Sequence, residues 1–420
     1  MTMRKLTLLI SLTLLCATPA VAQSKRLWVL RSGEVTEYDP VTFAQKQVVK
    51  APTEADTYPE SFMVNHLGQM LFTIPVSLPL TEGDLTDERK VWRWDGHAAS
   101  ELRREVVRDV ATVGSNLAVN EASPVPYLAA NGKRLFWSSN HAHRLTRDGV
   151  DLSTTNTWKA SETDLTGGSP AELTDVTLPE CSCPTGGCEE TCSYEQTYVP
   201  DEGVNNFFLL NQVVPGKNQP VYKATSLYKE SEGKWTATPI DPPLRRVLDA
   251  PDANTILEAI PDTGCCGWAN QSDDQTLLHL HGKTIKPFDE LEAYKNPDYD
   301  VSFYTENGKL SPDRALVAFT IVATSKPNVP IQLAEQGQAN PEESQRIRKA
   351  LLDLPAVEVK SVDDVPRSLA FLPHATLVGW ISDKELLIIE NNVLVAYSLS
   401  TGARRKSSIR VSDTAHVFLR

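Results

Sequence analysis

Four of the eight histidines fall in two His-x-His pairs, His141-Ala142-His143 and His279-Leu280-His281. On a strand, positions i and i+2 face the same side, so each pair can offer two imidazoles to one divalent ion. Two such pairs lining one channel would make a four-nitrogen site suited to metal-dependent hydrolysis. The plainer reading is ordinary surface and loop histidines, since nothing in the spacing makes the two pairs meet.

The cysteines form a second constellation. Cys181, Cys183, Cys188 and Cys192 crowd into twelve residues, and Cys265-Cys266 are adjacent. Cys-x-Cys and Cys-x3-Cys spacings can wrap a tetrahedral metal ion. In an oxidising compartment the same spacing reads as a disulfide-tied loop, and that reading is preferred. Six cysteines permit about 15 connectivities, among which the sequence does not choose. Gly264 and Gly267 flank the vicinal pair, and Trp268 follows as an anchor of that loop or a contact for a ligand or partner.

Other chemistry lacks its signature. No Gly-x-Ser-x-Gly nucleophile elbow occurs. The phosphate-binding loop, the dinucleotide fingerprint and Cys-x-x-Cys are also missing. Asp289, Glu290 and Glu292 read as a solvated helix start, and Asp273-Asp274 as a turn. With 54 acidic against 41 basic residues, the net charge is -13, which argues against a nucleic-acid binder.

The first 22 residues read as a cleaved signal peptide. Arg4 and Lys5 precede an apolar run from Leu6 to Ala17, and Ala20-Val21-Ala22 is a small-x-small site. The run is too short to span a bilayer, and no later run reaches spanning length. Leu14 and Leu15 before Cys16 disfavour lipid attachment. The expectation is a periplasmic or secreted protein of residues 23–420, without a transmembrane anchor. Cleavage removes Cys16 and leaves an even six cysteines.

What would position these groups is mainly β. Short apolar or alternating runs recur between turn residues, as in Leu27-Trp28-Val29-Leu30 and Val91-Trp92-Arg93-Trp94 before Asp95-Gly96. Helical signals are few. Asn340-Pro341-Glu342-Glu343 caps a helix whose Ile347, Ala350, Leu351 and Leu354 share a face. A shorter candidate spans Phe288 to Tyr294. A cysteine-bearing insertion near 178–200 and a helical one near 340–356 interrupt the strands.

One phrase repeats: a turn with Asn, Asp or Gly, then a short apolar strand. It occurs at 65–72, 131–137, 272–278, 310–319 and 379–389. Leu310-Ser311-Pro312-Asp313-Arg314-Ala315-Leu316-Val317-Ala318-Phe319 resembles the repeat of the TolB-like, WD40-like β-propellers. Trp380 to Ile389, continuing into Val393–Ser398, resembles the same repeat. Arg314 and Lys384 stand where that repeat has glycine. The resemblance implies an all-β propeller, with six or seven four-stranded blades closed by Leu27–Leu30 pairing near Val393–Leu399 or Ala415–Leu419. A pair of β-sandwiches is the alternative.

On this reading the chain is an exported propeller that binds a protein partner or extracellular ligand through rim loops rather than an enzyme, and it needs no cofactor. The competing readings are a metal-dependent hydrolase using the histidine pairs and a structural envelope protein.

Overall fold

Leu27-Trp28-Val29-Leu30 is apolar at every position, and strand β1 (Leu27–Arg31) is buried on both faces. Leu27 and Val29 pack with Leu387, Leu394 and Leu419, whereas Trp28 and Leu30 pack with Phe62, Met70 and Phe72. Side chains alternate across a strand, so a strand apolar on both sides belongs between two neighbouring sheets. The computed structural model describes residues 25–420 except 54–60, 66, 78–83, 95, 112–116, 122–124, 129–133, 148–149, 165–170, 178–180, 183–192, 199–206, 215–220, 232–233, 242, 245, 260–277, 281–282, 286–302, 324–325, 327, 338–339 and 413–414.

In chain order, β1 is followed by β2 (Glu34–Tyr38) and β3 (Gln45–Lys50). Next come β4 (Ser61–Val64), β5 (Met70–Ser77), β6 (Asp84–Trp94), β7 (Ala99–Ala111), β8 (Leu117–Glu121) and β9 (Val125–Leu128). Then β10 (Arg134–Arg147), β11 (Val150–Asp164), β12 (Ala171–Thr177) and the two-residue β13 (Cys181–Ser182) complete one large sheet. A four-stranded sheet follows from β14 (Ser193–Tyr198), β15 (Phe207–Val214), β16 (Val221–Ser231) and β17 (Lys234–Ile240). The next comprises β18 (Arg246–Asp252), β19 (Thr255–Ala259), β20 (Leu278–Leu280) and β21 (Lys283–Ile285).

After these, β22 (Phe303–Leu310) and β23 (Leu316–Ala323) lead into α1 (Val329–Glu335) and α2 (Pro341–Leu352), and β24 (Ala356–Ser361) and β25 (Ser368–Pro373) complete that sheet. The last four-strand meander is β26 (Ala375–Ser382), β27 (Glu385–Glu390), β28 (Val393–Ser398) and β29 (Arg404–Arg410). The final strand, β30 (His416–Leu419), pairs antiparallel with β1, Leu27 opposite Leu419. It completes the sheet β3-β2-β1-β30. Of the two expected closures, the ring uses the one at 415–419.

Edge strands of successive sheets adjoin one another: β14 with β18, β18 with β22, β22 with β26, and β26 with β30. The Arg420 guanidinium then donates to the Val64 carbonyl at the end of β4, and Phe62 meets Phe418 edge to face at 5.1 Å. The architecture is therefore an all-β propeller, with two helices among the described residues. Radial stacking covers both faces of each sheet and leaves few open edges.

The expected blade count needs correction. Five sheets have four strands, not six or seven, and the strands of 61–182 join in one ten-stranded sheet. The physical reason is strand length. The ribbons β6–β7 and β10–β11 run 11 to 15 residues per strand, longer than the four to eight residues of most others. Their extended ends are bridged by β8, which pairs with both β7 and β10.

The helical insertion is as the sequence specifies. The Asn340 side chain accepts from the backbone N–H of Glu342 and Glu343 at 2.9 and 3.2 Å, with Pro341 opening α2. Ile347, Ala350 and Leu351 bury against Val317, Phe319 and Ile321 of β23. The candidate helix at 288–294 lies outside the described residues.

Candidate functional site

Three turns of neighbouring sheets meet: those at 252–255, 311–314 and 382–385. Ser311-Pro312-Asp313-Arg314 links β22 to β23, and Asp252 to Thr255 links β18 to β19. At the first, the Ser311 hydroxyl donates to Asp313 Oδ1 at 2.6 Å, and the Ala315 N–H donates to the same oxygen at 3.1 Å. The Ser311 hydroxyl oxygen also accepts from the Leu316 N–H at 2.9 Å. Those bonds hold the Asp313 carboxyl below the usual carboxylate range, the Ser311 bond first, against an opposing push from burial. Asp313 N–H donates to Asp383 Oδ1 of the next sheet at 2.9 Å, tying the two repeat turns together.

Arg314 occupies the repeat's glycine position with φ of 61°. Its guanidinium reaches back to the preceding sheet, 2.6 Å from Asp252 Oδ2 and 3.3 Å from the Thr255 hydroxyl. Burial pushes the Asp252 carboxyl up. Hydrogen bonds from the Asn254 N–H and from Thr255, with the Arg314 charge, outweigh that push and leave it below its ordinary value.

Between these turns lies a cavity of about 340 Å³, at the small end of the range for ligand pockets. Its walls come from four sheets. Asp249 and Pro251 come from β18, Lys309 and Leu310 from β22, Val378, Gly379 and Trp380 from β26, and Leu419 from β30. Lys25, Ser311, Pro312, Arg314 and Arg420 complete the lining.

Asp249 is 8% exposed, and both its oxygens are engaged: one accepts the Leu310 N–H at 2.9 Å, the other lies 3.3 Å from Lys309 Nζ. The Trp380 indole N–H donates to the Lys309 carbonyl at 2.9 Å. Lys309 is thereby held from two neighbouring sheets. The Gly379 position has room for a methyl: its nearest neighbour would be Leu419 Cδ2 at 3.5 Å.

The residues singled out from sequence are placed as follows. His141 and His143 fall on β10, opposite Glu121 and Val119 of β8. His279 falls on β20, opposite Glu258 of β19. These strands belong to different sheets; β10 and β20 are flanked by other strands on both sides. Cys181 lies on β13, opposite Thr154. His281, Cys183, Cys188, Cys192, Cys265, Cys266 and Trp268 lie outside the described residues. Among the described residues no group of three His, Cys, Asp or Glu side chains is arranged for a metal ion.

Sequence reasoning used the repeat only as a sign of fold and missed Asp249, Lys309, Arg314 and Arg420. A signal was present: copies of one turn in a radial repeat lie at one end of the ring, so charges next to them converge.

No protein-family model matches this chain, and no curated protein matches it in sequence. Solved structures similar to it include three propeller-scale matches. The WD40 domain of SCAP from fission yeast is 8% identical with a TM-score of 0.36, over 93% of this chain and 85% of that one. The β-propeller domain of the Trilobed protease from Pyrococcus furiosus is 9% identical with a TM-score of 0.33, over 85% and 99%. Apo AztD from Citrobacter koseri is 9% identical with a TM-score of 0.33, over 94% and 98%. Likeness at this level carries no functional argument. The propeller assignment rests on the chain's own strand pairing and on the closure of β1 with β30.

Proposed function

We propose that this chain is an exported, non-catalytic β-propeller that binds an extracellular ligand or partner at the end of the ring where the repeat turns converge. The observation that carries the reading is the cavity shared by four sheets, floored by buried Asp249, Leu310, Trp380 and Leu419. A rigid ring holds such a site in place while the loops around it supply selectivity. The export signal at 1–22 supports an extracytoplasmic setting, and with it disulfide pairing of the six remaining cysteines.

The test is a thermal-shift screen of the mature protein against a small-molecule library, repeated on Gly379→Phe and Gly379→Ala. Phenylalanine fills the space above Leu419, and alanine is the folding control. Hits that bind the wild type and the alanine variant, and lose at least tenfold in affinity in the phenylalanine variant, support the reading. A library without hits, or hits indifferent to Gly379→Phe, overturns it.

A further inference from the structure

Away from the cavity, we infer that β29 is a docking edge for an extended acidic segment of a protein partner, which adds to the last sheet as a fifth strand. β29 ends the order β26-β27-β28-β29, and among the described strands it pairs with β28 alone. The N–H and C=O groups on its other side form a template for a further strand. Its sequence, Arg404-Arg405-Lys406-Ser407-Ser408-Ile409-Arg410, carries four cations, all exposed, in a chain of net charge -13.

The register decides where that charge points. Arg404, Lys406 and Arg410 lie opposite Tyr397, Val395 and Val393, alternate residues of β28, so the three share one face of the sheet. Among the described residues the acid within ion-pair reach of them is Glu390, on the same face opposite Val393. Its contacts are loose, 3.4 Å to Arg404 Nε and 3.9 Å to Lys406 Nζ, and its Oε2 accepts no hydrogen bond. Both cations thus keep their donors for a partner. Arg404 also lies 5.4 Å over the Tyr397 ring, which steadies it. Arg410 makes no ion pair among the described residues. On the opposite face Arg405 is matched by Glu385 at 2.7 Å. Three cations against one carboxylate therefore mark the first face.

Charged side chains also keep free edges from pairing with copies of themselves. That need does not explain β29: β25, the terminal strand of the preceding sheet, is Ser368-Leu369-Ala370-Phe371-Leu372-Pro373 and has no charge. In an added strand alternate residues meet one face, so acids at every second position fall opposite Arg404, Lys406 and Arg410. A strand of seven residues spans about 20 Å, which sets the length of the segment. A membrane surface fits less well, because the apolar residue of β29, Ile409, is buried and offers nothing to a bilayer.

The experiment titrates three labelled heptapeptides of equal charge against the mature chain at about 50 mM salt, where screening is weak. They are Glu-Thr-Glu-Thr-Glu-Thr-Glu, the block order Glu-Glu-Glu-Glu-Thr-Thr-Thr, and the alternating peptide with every amide N-methylated. The alternating peptide is expected to bind at least fivefold tighter than the other two. Lys406→Gln and Arg410→Glu should each weaken it at least threefold, and together at least tenfold. Arg348→Glu, at an exposed position of α2, makes the same charge change as Arg410→Glu and should leave affinity within twofold. Equal binding of the three peptides, binding of none, an equal loss in Arg348→Glu, or indifference to both β29 variants overturns the inference. Capture by phosphatidylglycerol vesicles with no preference for the alternating peptide also overturns it, in favour of a membrane surface. None of these outcomes bears on the cavity, which is tested separately by Gly379→Phe.

Discussion

Arg314 illustrates how magnitudes separate a structural role from a functional one. A left-handed arginine costs about 1–2 kcal/mol, and a half-exposed ion pair such as that with Asp252 returns at most about 1 kcal/mol. The two terms nearly offset, so stability gives little reason to prefer arginine over glycine at this position. Arg314→Gly is expected to change unfolding free energy by less than about 1 kcal/mol in either direction, read by urea denaturation. Asp313 gives a pH prediction at the same scale. Its folded pKa is depressed, chiefly by the Ser311 hydroxyl. A depressed carboxylate contributes stability that is present above its unfolded value of about 3.9 and is lost as pH falls through the folded value. Melting temperature should therefore drop on acidification below about pH 4. Asp313→Asn should melt lower at neutral pH and lose less between pH 5 and pH 3, on the order of the window set by that titration. A parallel acid limb in the two proteins would contradict this.

Elements are fixed by how closely the inner strands approach. Gly308 sits on β22 after a bulge, and a Cβ there would stand 3.0 Å from Leu248 Cδ1 and 3.3 Å from Leu257 Cδ2 of the neighbouring sheet. These are buried side chains with little room to give. Gly308→Val should destabilise by about 1–3 kcal/mol through overpacking, with Gly308→Ala costing less, measured by chemical denaturation. Next to it the Asn307 amide donates to the Leu377 carbonyl at 3.0 Å, and the Leu377 N–H donates to the Thr320 hydroxyl at 2.9 Å. Both groups of Leu377 are therefore satisfied across the seam between two sheets, and they fix β26 against β22 and β23. Asn391-Asn392 takes positive φ at both positions, as a two-residue hairpin turn between β27 and β28 demands.

The whole molecule depends on one closure. β30 enters the first sheet from the other end of the chain, and Arg26 and Arg420 exchange backbone hydrogen bonds beyond the last strand pair. The joint is reinforced by Arg26, whose guanidinium binds the buried carboxylate of Glu37 at 2.7 Å and stacks 4.7 Å over Trp28. Arg26 also explains Gly68, where a Cβ would collide with the guanidinium and where φ is +80°. Trp28 is fully buried in the core between the closing sheet and β4–β5. Trp28→Ala should cost about 3–5 kcal/mol. Because the cavity borders the same joint through Lys25, Leu419 and Arg420, the substitution should weaken ligand binding in parallel with stability. Unaltered affinity in a destabilised variant would separate closure from the site.

The residues by themselves determined the β class, the capped helix that opens at Asn340-Pro341 and the repeat turn around Ser311-Pro312-Asp313. Each is a local matter of period, turn chemistry or capping, which a short stretch of chain carries whole. The merger of ten strands in one sheet and the convergence of Lys25, Asp249, Lys309, Arg314 and Arg420 were decided only by the tertiary structure. Those residues are separated by up to almost the whole length of the chain, and no local pattern encodes which strands stand side by side around an axis. Long-range packing chose the neighbours, and the cavity exists only once the ring is shut.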